Sequence, residues 1–368
     1  MKKAAYVASV MIHFKSFHIP HLKNLQKRDF ETTLIAGDDM DIEGCEKKYK
    51  VPFERFPLKI NNLKAYGKLK NIFKKEKFNL IHCHTPVASM LTRLAARKIR
   101  KNGTKVIYTA HGFHFFEGAP LLNWMIYYPI EWVCSFFTDV LITINKEDYN
   151  FAKKHMKAKK VCYVPGVGID LEKYGSIEIE KNKKREELGI DKEAVMLLSV
   201  GELNSNKNHQ IIIKAISMLK NKNIHYFIAG KGSKQTELES LVRENGLQDN
   251  VHFLGYRNDI AELCVCADIF CFPSFREGLP VSVMEAMATG LPCVVSDIRG
   301  NEDLIDDGKG GFLCNPNDSD AFARNIKNLF DNSELRKNMG EYNKEKIKEF
   351  SLENVGEIME RLYEEVIE

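Results

Sequence analysis

The chain has 368 residues, of which 44% are hydrophobic, 28% charged and 10% aromatic, a balance that excludes a disordered or fibrous polypeptide and exceeds one ordinary hydrophobic core. No apolar run reaches the roughly 18 residues that span a bilayer, and the nine cysteines contain no C-x-x-C pair, which argues against a membrane channel, a secreted disulfide scaffold and a zinc ribbon. The formal charge of +4 is unevenly spread: residues 1–165 hold 29 Lys and Arg against 14 Asp and Glu, a charge of +15, and the remainder holds 25 against 36, a charge of −11. The basic half suits an anionic partner such as a lipid headgroup or a phosphorylated acceptor. Nothing resembles a nucleic-acid module, so no nucleic-acid partner is expected.

In chain order, short apolar runs alternate with stretches of helical periodicity. Runs at 4–10, 33–36, 80–83, 106–110, 140–144 and 161–164 read as strands, with the N-terminal one read as a first strand and not a signal peptide. Five more lie at 195–200, 225–229, 251–254, 269–272 and 292–296. Between them, 64–77, 87–101, 208–219, 236–245 and 281–288 carry helical spacing, and 351–367 reads as an amphipathic tail helix. The stretch 173–192 is charged and reads as irregular. The unusually aromatic stretch 120–137 reads either as core or as an interfacial surface for a lipid-linked acceptor.

Strand–helix alternation predicts parallel sheets covered by helices on both faces. About eleven strands exceed one comfortable open sheet. The fold class expected is therefore α/β with two doubly wound, Rossmann-like domains facing a central crevice. Residues 1–166, with the tail helix 351–368 packing back, form the first domain, and 167–350 the second. In such sheets ligands meet residues just after the carboxyl ends of strands. That places chemistry after Val10, Cys83, Ala110, Val200, Ala229, Leu254 and Phe272.

The strongest stretch is FPSFREGLPVSVMEAMATG at 272–290. It ends a strand, turns, and opens a helix, with Pro280 suited to the first helical turn and the amides near Gly278 and Leu279 aimed at an anion. Glu277 and Glu285 stand about two helical turns apart, so both can line one ligand, and a carboxylate accepts two hydroxyl donors of a ribose or hexose diol. His82 and His84 stand two apart at a strand end, but two imidazoles without an evident third ligand make a weak zinc site. No metal and no cofactor beyond a co-substrate is expected.

This E-x7-E stretch resembles that of retaining glycosyltransferases of family 4, which have the GT-B fold. SVGELNSNKNH at 199–209, AGKG at 229–232, FLGYRNDI at 253–260 and TAHG at 109–112 carry the same resemblance. HCHTP at 82–86 and VPGVGID at 164–170 are similar to a narrower bacterial group that builds capsule, exopolysaccharide or lipid-linked glycans. The odd count of cysteines without framework spacing suggests reduced thiols in a cytoplasm, and the basic first half together with the aromatic stretch 120–137 suggests an enzyme peripheral on the inner membrane face. The resemblance implies the substrates: the donor would be a UDP-hexose or UDP-N-acetylhexosamine and the acceptor a polyprenyl-diphosphate-linked saccharide. By that resemblance Glu285 grips the ribose, Glu277 contacts the transferred sugar and Lys207 binds the diphosphate. Gly201 and Gly230 let backbone approach the phosphates, residues near Arg257 meet the base, and His111 faces the anomeric centre. Transfer on one face through an oxocarbenium-like ion pair, without metal, is the chemistry implied. A sugar-nucleotide epimerase and a non-catalytic nucleotide-sugar-binding scaffold are the alternatives.

Two departures from the family pattern stand out. Where many members have Arg five residues before the phosphate-binding Lys, this chain has Glu202, so Arg276, Lys231 or Arg257 is expected to supply the second cation. The usual glycine-rich loop after the first strand is replaced by VMIHFKSFHIP at 10–20, whose His13, Lys15 and His18 are expected on the acceptor side.

Overall fold

A computed structural model describes residues 1–175, 177 and 179–367. The chain divides into two compact units, Met1–Gly168 together with the tail from Glu353, and Ile169–Leu352. Ser176 and Glu178 of the stretch 173–192, and Glu368 of the tail, lie outside the described residues.

In chain order the first unit comprises β1 (Lys2–Val7), α1 (Ile12–Phe17), α2 (Ile19–Lys27), β2 (Phe30–Ala36), β3 (Lys47–Lys50), α3 (Asn61–Glu76), β4 (Leu80–His84), α4 (Pro86–Arg100), β5 (Lys105–Ala110), α5 (Leu121–Ser135), β6 (Val140–Thr143), α6 (Lys146–His155) and β7 (Lys160–Tyr163). All strands run parallel in the order β3-β2-β1-β4-β5-β6-β7. The inner strands are buried on both faces, which is why their sequences are nearly continuous apolar runs. The edge strand β3, Lys-Lys-Tyr-Lys, alternates half-buried and exposed residues, so its sequence carries no apolar run to announce it.

The second unit comprises α7 (Leu171–Gly175), α8 (Lys181–Glu187), β8 (Val195–Val200), α9 (Gln210–Leu219), β9 (Ile224–Ala229), α10 (Gln235–Glu244), β10 (Val251–Gly255), α11 (Ile260–Cys266), β11 (Ile269–Phe272), α12 (Val281–Ala288), β12 (Cys293–Ser296), α13 (Asn301–Leu304), β13 (Gly311–Cys314), α14 (Ser319–Asp331) and α15 (Ser333–Lys346). Its parallel order is β10-β9-β8-β11-β12-β13. The last helix, α16 (Leu352–Ile367), lays Val355, Met359, Leu362, Tyr363 and Val366 into the core of the first unit beside Tyr6 and Phe14.

Three readings need correction. The stretch 173–192 is not irregular: it holds the end of α7 and all of α8. The polar α8 is fixed by tertiary partners, since buried Arg185 donates to the Cys266 carbonyl and Asp268, and Lys184 reaches Asp259 and Glu262. The stretch 120–137 is neither wholly core nor wholly surface. Helix α5 turns Trp124, Tyr127 and Tyr128 onto the core and leaves Leu121, Leu122 and Met125 more than 60% exposed. Strand β13, begun by Gly311, was missed because a glycine at φ 158° in a four-residue edge strand gives no β-branched signal.

Both sheets share one topological property. The chain moves outward one way from β1 through β2 and β3, then returns to place β4 on the other side of β1. In the second unit β8 and β11 stand in the same relation. The loops leaving these strand pairs diverge and open a crevice at the carboxyl ends, the place where doubly wound sheets bind ligands.

Candidate active site

At the β8/β11 switch point, Gly201 follows the end of β8 and the chain loops through Lys207 into α9. Main-chain N–H of Lys207 donates to Asn204 Oδ1 at 3.0 Å, which sets the loop, and the Lys207 side chain runs back over Gly201. A Cβ at Gly201 would meet Lys207 Cε at 3.2 Å, so the missing side chain makes room for the lysine. Its ammonium donates to Glu277 Oε1 at 2.8 Å and lies 4.5 Å from the centroid of Phe272. The partner loop after β11 is tied to the lysine loop: Phe275 N–H donates to the Asn206 carbonyl at 2.8 Å, and Asn206 Nδ2 donates to the Arg276 carbonyl at 2.9 Å. Arg299 Nε holds the Glu277 carbonyl from the far side at 3.0 Å.

Glycines set the backbone spacing here. A Cβ at Gly230, after β9, would stand 1.9 Å from the Gly201 carbonyl oxygen, and one at Gly300 would stand 2.3 Å from that of Gly278. Only glycine permits these approaches. Helix α12 begins at Val281, with Pro280 in the capping place at ψ 117°, not inside the first turn as its sequence position implied; extended backbone at Pro280 delays the helix by one residue. Leu279 is buried at the same turn and Gly278 is half-buried.

Glu285, one turn into α12, accepts a hydrogen bond from the Tyr174 hydroxyl of α7. Burial raises the Glu285 pKa, and the Tyr174 bond and the Lys173 ammonium oppose that rise. Tyr174 was missed by the sequence reading because it lies in the stretch read as irregular. Glu202 is exposed and accepts from Asn204 Nδ2 at 3.0 Å. Of the three cations expected to replace the family Arg, Arg257 is occupied by Asp259, which its guanidinium meets at 2.7 Å, whereas Arg276 and Lys231 are exposed. The structure therefore brings Lys207, Glu277, Gly201, Gly230 and the Arg276 backbone together at one crevice of the second unit.

At the β1/β4 switch point the first unit gathers histidines. His13 on α1, His18 at the α1–α2 junction, His84 at the end of β4 and His111 after β5 each present a ring nitrogen, all within 4.8 Å of one another. His18 Nε2 and His13 Nε2 are 3.2 Å apart, and His84 Nδ1 and His111 Nε2 are 3.3 Å apart. Burial lowers the His13 pKa to about 4 and that of His111 to about 3, so both rings are neutral at pH 7. No spacing along the chain announced this group; the fold brings together imidazoles from three separate segments. His82 lies on the same face of β4 as His84, their ring centroids 4.2 Å apart, but both its nitrogens are taken, by the Tyr363 hydroxyl at 2.8 Å and the Thr109 hydroxyl at 2.8 Å. Lys15, on the same helix as His13, is exposed.

Comparison with known proteins follows this geometry. Residues 180–346 match the model for "Glycosyl transferases group 1" and residues 21–173 that for "Glycosyltransferase Family 4". The "Putative glycosyltransferase EpsD" of Bacillus subtilis (strain 168) is 38% identical over 98% of this chain and 96% of its own length. The chain is a family 4 glycosyltransferase. Another relative of this glycosyltransferase is the Escherichia coli UDP-Gal:alpha-D-GlcNAc-diphosphoundecaprenol alpha-1,3-galactosyltransferase, 30% identical over 75% of this chain and 72% of that one. Among solved structures, Anabaena Alr3699/HepE in complex with UDP superposes with a TM-score of 0.81 at 19% identity, covering 99% of this chain and 100% of that one. WaaG superposes at 0.75, covering 98% of each chain. The fold of the glycosyltransferase is thus GT-B, as its two parallel sheets required.

Proposed function

We propose that this glycosyltransferase moves a hexose or N-acetylhexosamine from a UDP-sugar to a polyprenyl-diphosphate-linked saccharide during synthesis of a bacterial surface polysaccharide, with retention of configuration. The second unit holds the donor and the first unit receives the acceptor. The observation that carries the reading is the Lys207–Glu277 pair at the β8/β11 switch point, with Glu285 eight residues further on α12. Two relatives bear names that fit it, the E. coli galactosyltransferase that uses a diphosphoundecaprenol-linked acceptor and CapM of Staphylococcus aureus, named for capsular polysaccharide biosynthesis.

In the proposed step the bond from the sugar C1 to the diphosphate oxygen breaks and its electron pair leaves with the diphosphate. The acceptor hydroxyl oxygen bonds C1 on the same face, and its proton passes to a phosphate oxygen of the leaving group. Lys207, with Arg276 or Lys231, meets the charge that grows on the diphosphate, and fixed groups do so without reorganising. The amides around Gly278 and Leu279 add their dipoles. Glu285 accepts from the ribose hydroxyls, Glu277 from a sugar hydroxyl, and backbone near Arg257 meets the base. His111 contacts the transferred sugar near C1.

The test is a thermal-shift screen over UDP-, GDP- and ADP-sugars, followed by transfer assays with the stabilising donor and a polyprenyl-diphosphate-linked acceptor. Stabilisation by a UDP-sugar and a glycosylated lipid product are expected. An epimerised donor, or binding without product under any acceptor, would overturn the reading.

A further inference from the structure

We propose that His13, His18, His84 and His111 form a binding site for one divalent transition-metal ion, with zinc the fitting choice. The inference concerns the first unit alone and does not depend on the activity proposed above.

Four features of the cluster support it. First, the donor set is four imidazoles from three separate chain segments, converging within 4.8 Å. Imidazole suits Zn²⁺, Cu²⁺ and Ni²⁺ and not the hard cations Mg²⁺ and Ca²⁺, which take oxygen ligands. Second, two of the nitrogen separations match tetrahedral spacing. Zinc–nitrogen bonds of about 2.0–2.1 Å put ligand nitrogens about 3.3–3.4 Å apart. The His13–His18 and His84–His111 nitrogens already stand 3.2 and 3.3 Å apart. Since no separation in the set exceeds 4.8 Å, closing it on an ion asks for a contraction of at most about 1.5 Å.

Third, the cluster is buried: His18 and His84 are 5% and 0% exposed. Their other ring nitrogens, Nδ1 of His18 and Nε2 of His84, have no hydrogen-bond partner among the described residues, so each can carry the ring proton and leave Nε2 of His18 and Nδ1 of His84 as lone-pair donors toward an ion. Fourth, the site is built and not incidental. Thr85, following His84, sits at φ 61°, and its hydroxyl fixes the β1 loop by accepting from the Ser9 N–H at 3.0 Å. The break between α1 and α2 falls on His18 itself, turning that ring inward while its neighbours continue as helix.

An ion here pins the α1–α2 segment to the ends of β4 and β5. That is the segment in which this chain carries histidines in place of a glycine-rich loop.

The experiment uses the full chain without an affinity tag, stripped of metal and titrated with Zn²⁺ alone and with Co²⁺ alone. Expected are one equivalent bound per chain, intense Co²⁺ visible bands of a tetrahedral nitrogen site, and a rise in the unfolding temperature on metal addition. His13→Ala and His111→Ala, each at a partly exposed ring and each checked by circular dichroism for native fold, are expected to weaken binding by about 100-fold or more. His225→Gln, at the stacked His225–His252 pair of the second unit, is the control and should leave binding unchanged. Absence of stoichiometric uptake, octahedral Co²⁺ bands, or uptake lost in His225→Gln but kept in the two cluster variants each overturns the proposal.

Discussion

The Lys207 ammonium and the Glu277 carboxylate face each other across 2.8 Å at the β8/β11 switch point, both side chains at most one-fifth exposed. Each neutralises the other, so under the proposed function a diphosphate would compete with Glu277 for the lysine. A charge-assisted hydrogen bond is worth about 1.5–3 kcal/mol. Lys207→Ala is therefore expected to weaken UDP binding about tenfold to a hundredfold. Glu277→Gln keeps the volume and frees the lysine, so UDP binding should hold or tighten while turnover falls by a similar factor. Calorimetric titration with UDP and initial rates check this. Equal weakening of UDP binding in both variants would refute the separate roles.

The bond from Tyr174 to Glu285 makes a pH prediction. Burial raises the Glu285 pKa and the Tyr174 hydroxyl opposes the rise, because it donates to the ionised form. The ionised carboxylate is the better acceptor for ribose hydroxyls, so UDP affinity should fall as pH drops through the Glu285 pKa. Tyr174→Phe removes the stabilising donor and should move that fall to higher pH. Dissociation constants measured from pH 5 to 8 would show the displaced limb. An unshifted profile would detach Glu285 from the nucleotide.

Glycine geometry separates two substitutions that sequence treats alike. A Cβ at Gly230 would stand 1.9 Å from a carbonyl oxygen, and Gly230→Ala is expected to cost several kcal/mol, in the range of overpacking or backbone displacement (about 1–3 kcal/mol or more). Gly67, inside α3, has nothing within 4 Å of its would-be Cβ, and Gly67→Ala should stabilise by about 0.5–1 kcal/mol through helix propensity. Denaturant unfolding of both proteins decides it, and the signs should be opposite.

Much of this architecture was legible in the sequence, for identifiable reasons. Strands buried on both faces announce themselves as apolar runs, and β8 and β11 were bounded correctly at 195–200 and 269–272. Edge strand β3 was invisible because two of its four residues face water, and β13 because its four residues, Gly-Phe-Leu-Cys, include no β-branched one. The Glu277/Glu285 spacing could be read because eight residues across a turn and a helix fix their separation. The Tyr174 partner of Glu285 could not, since 111 residues of chain lie between them. The histidine cluster failed for the same reason. His13, His18, His84 and His111 have no metal-ligand spacing along the chain, and only the order β2-β1-β4-β5 brings the three segments to one end of one sheet.

Acid should release a second ion network. Glu76, its side chain 5% exposed, accepts from Tyr49 at 2.6 Å and Lys3 at 2.9 Å, and these bonds hold its pKa at about 2. A carboxylate whose pKa is depressed on folding contributes stability above its unfolded value of about 4.3, and that contribution is lost as pH falls through the folded value. Glu76→Gln should therefore destabilise the protein at pH 7 and match the parent near pH 2. Unfolding midpoints across that range check the convergence, and a constant gap would assign the effect to packing.

A surface of the first unit allows the expectation of membrane attachment to be tested, and no helix among the described residues is long and apolar enough to cross a membrane. Leu58, Ile60 and Leu63 are more than 70% exposed, at the start of α3 beside a cavity of about 440 Å³ lined also by Tyr66, Leu94 and Arg97. The exposed face of α3 carries Lys64, Lys68, Lys70, Lys74 and Lys75. Apolar side chains beside lysines match a surface of anionic headgroups over acyl chains, where each lysine contributes about 1 kcal/mol. The protein is expected to float with vesicles containing anionic phospholipid, to bind less as salt rises, and to ignore neutral vesicles. Leu58→Glu with Ile60→Glu should abolish flotation without loss of fold, since both side chains already face water. Recovery of that double variant with anionic vesicles at the parental level would remove the α3 surface from membrane attachment.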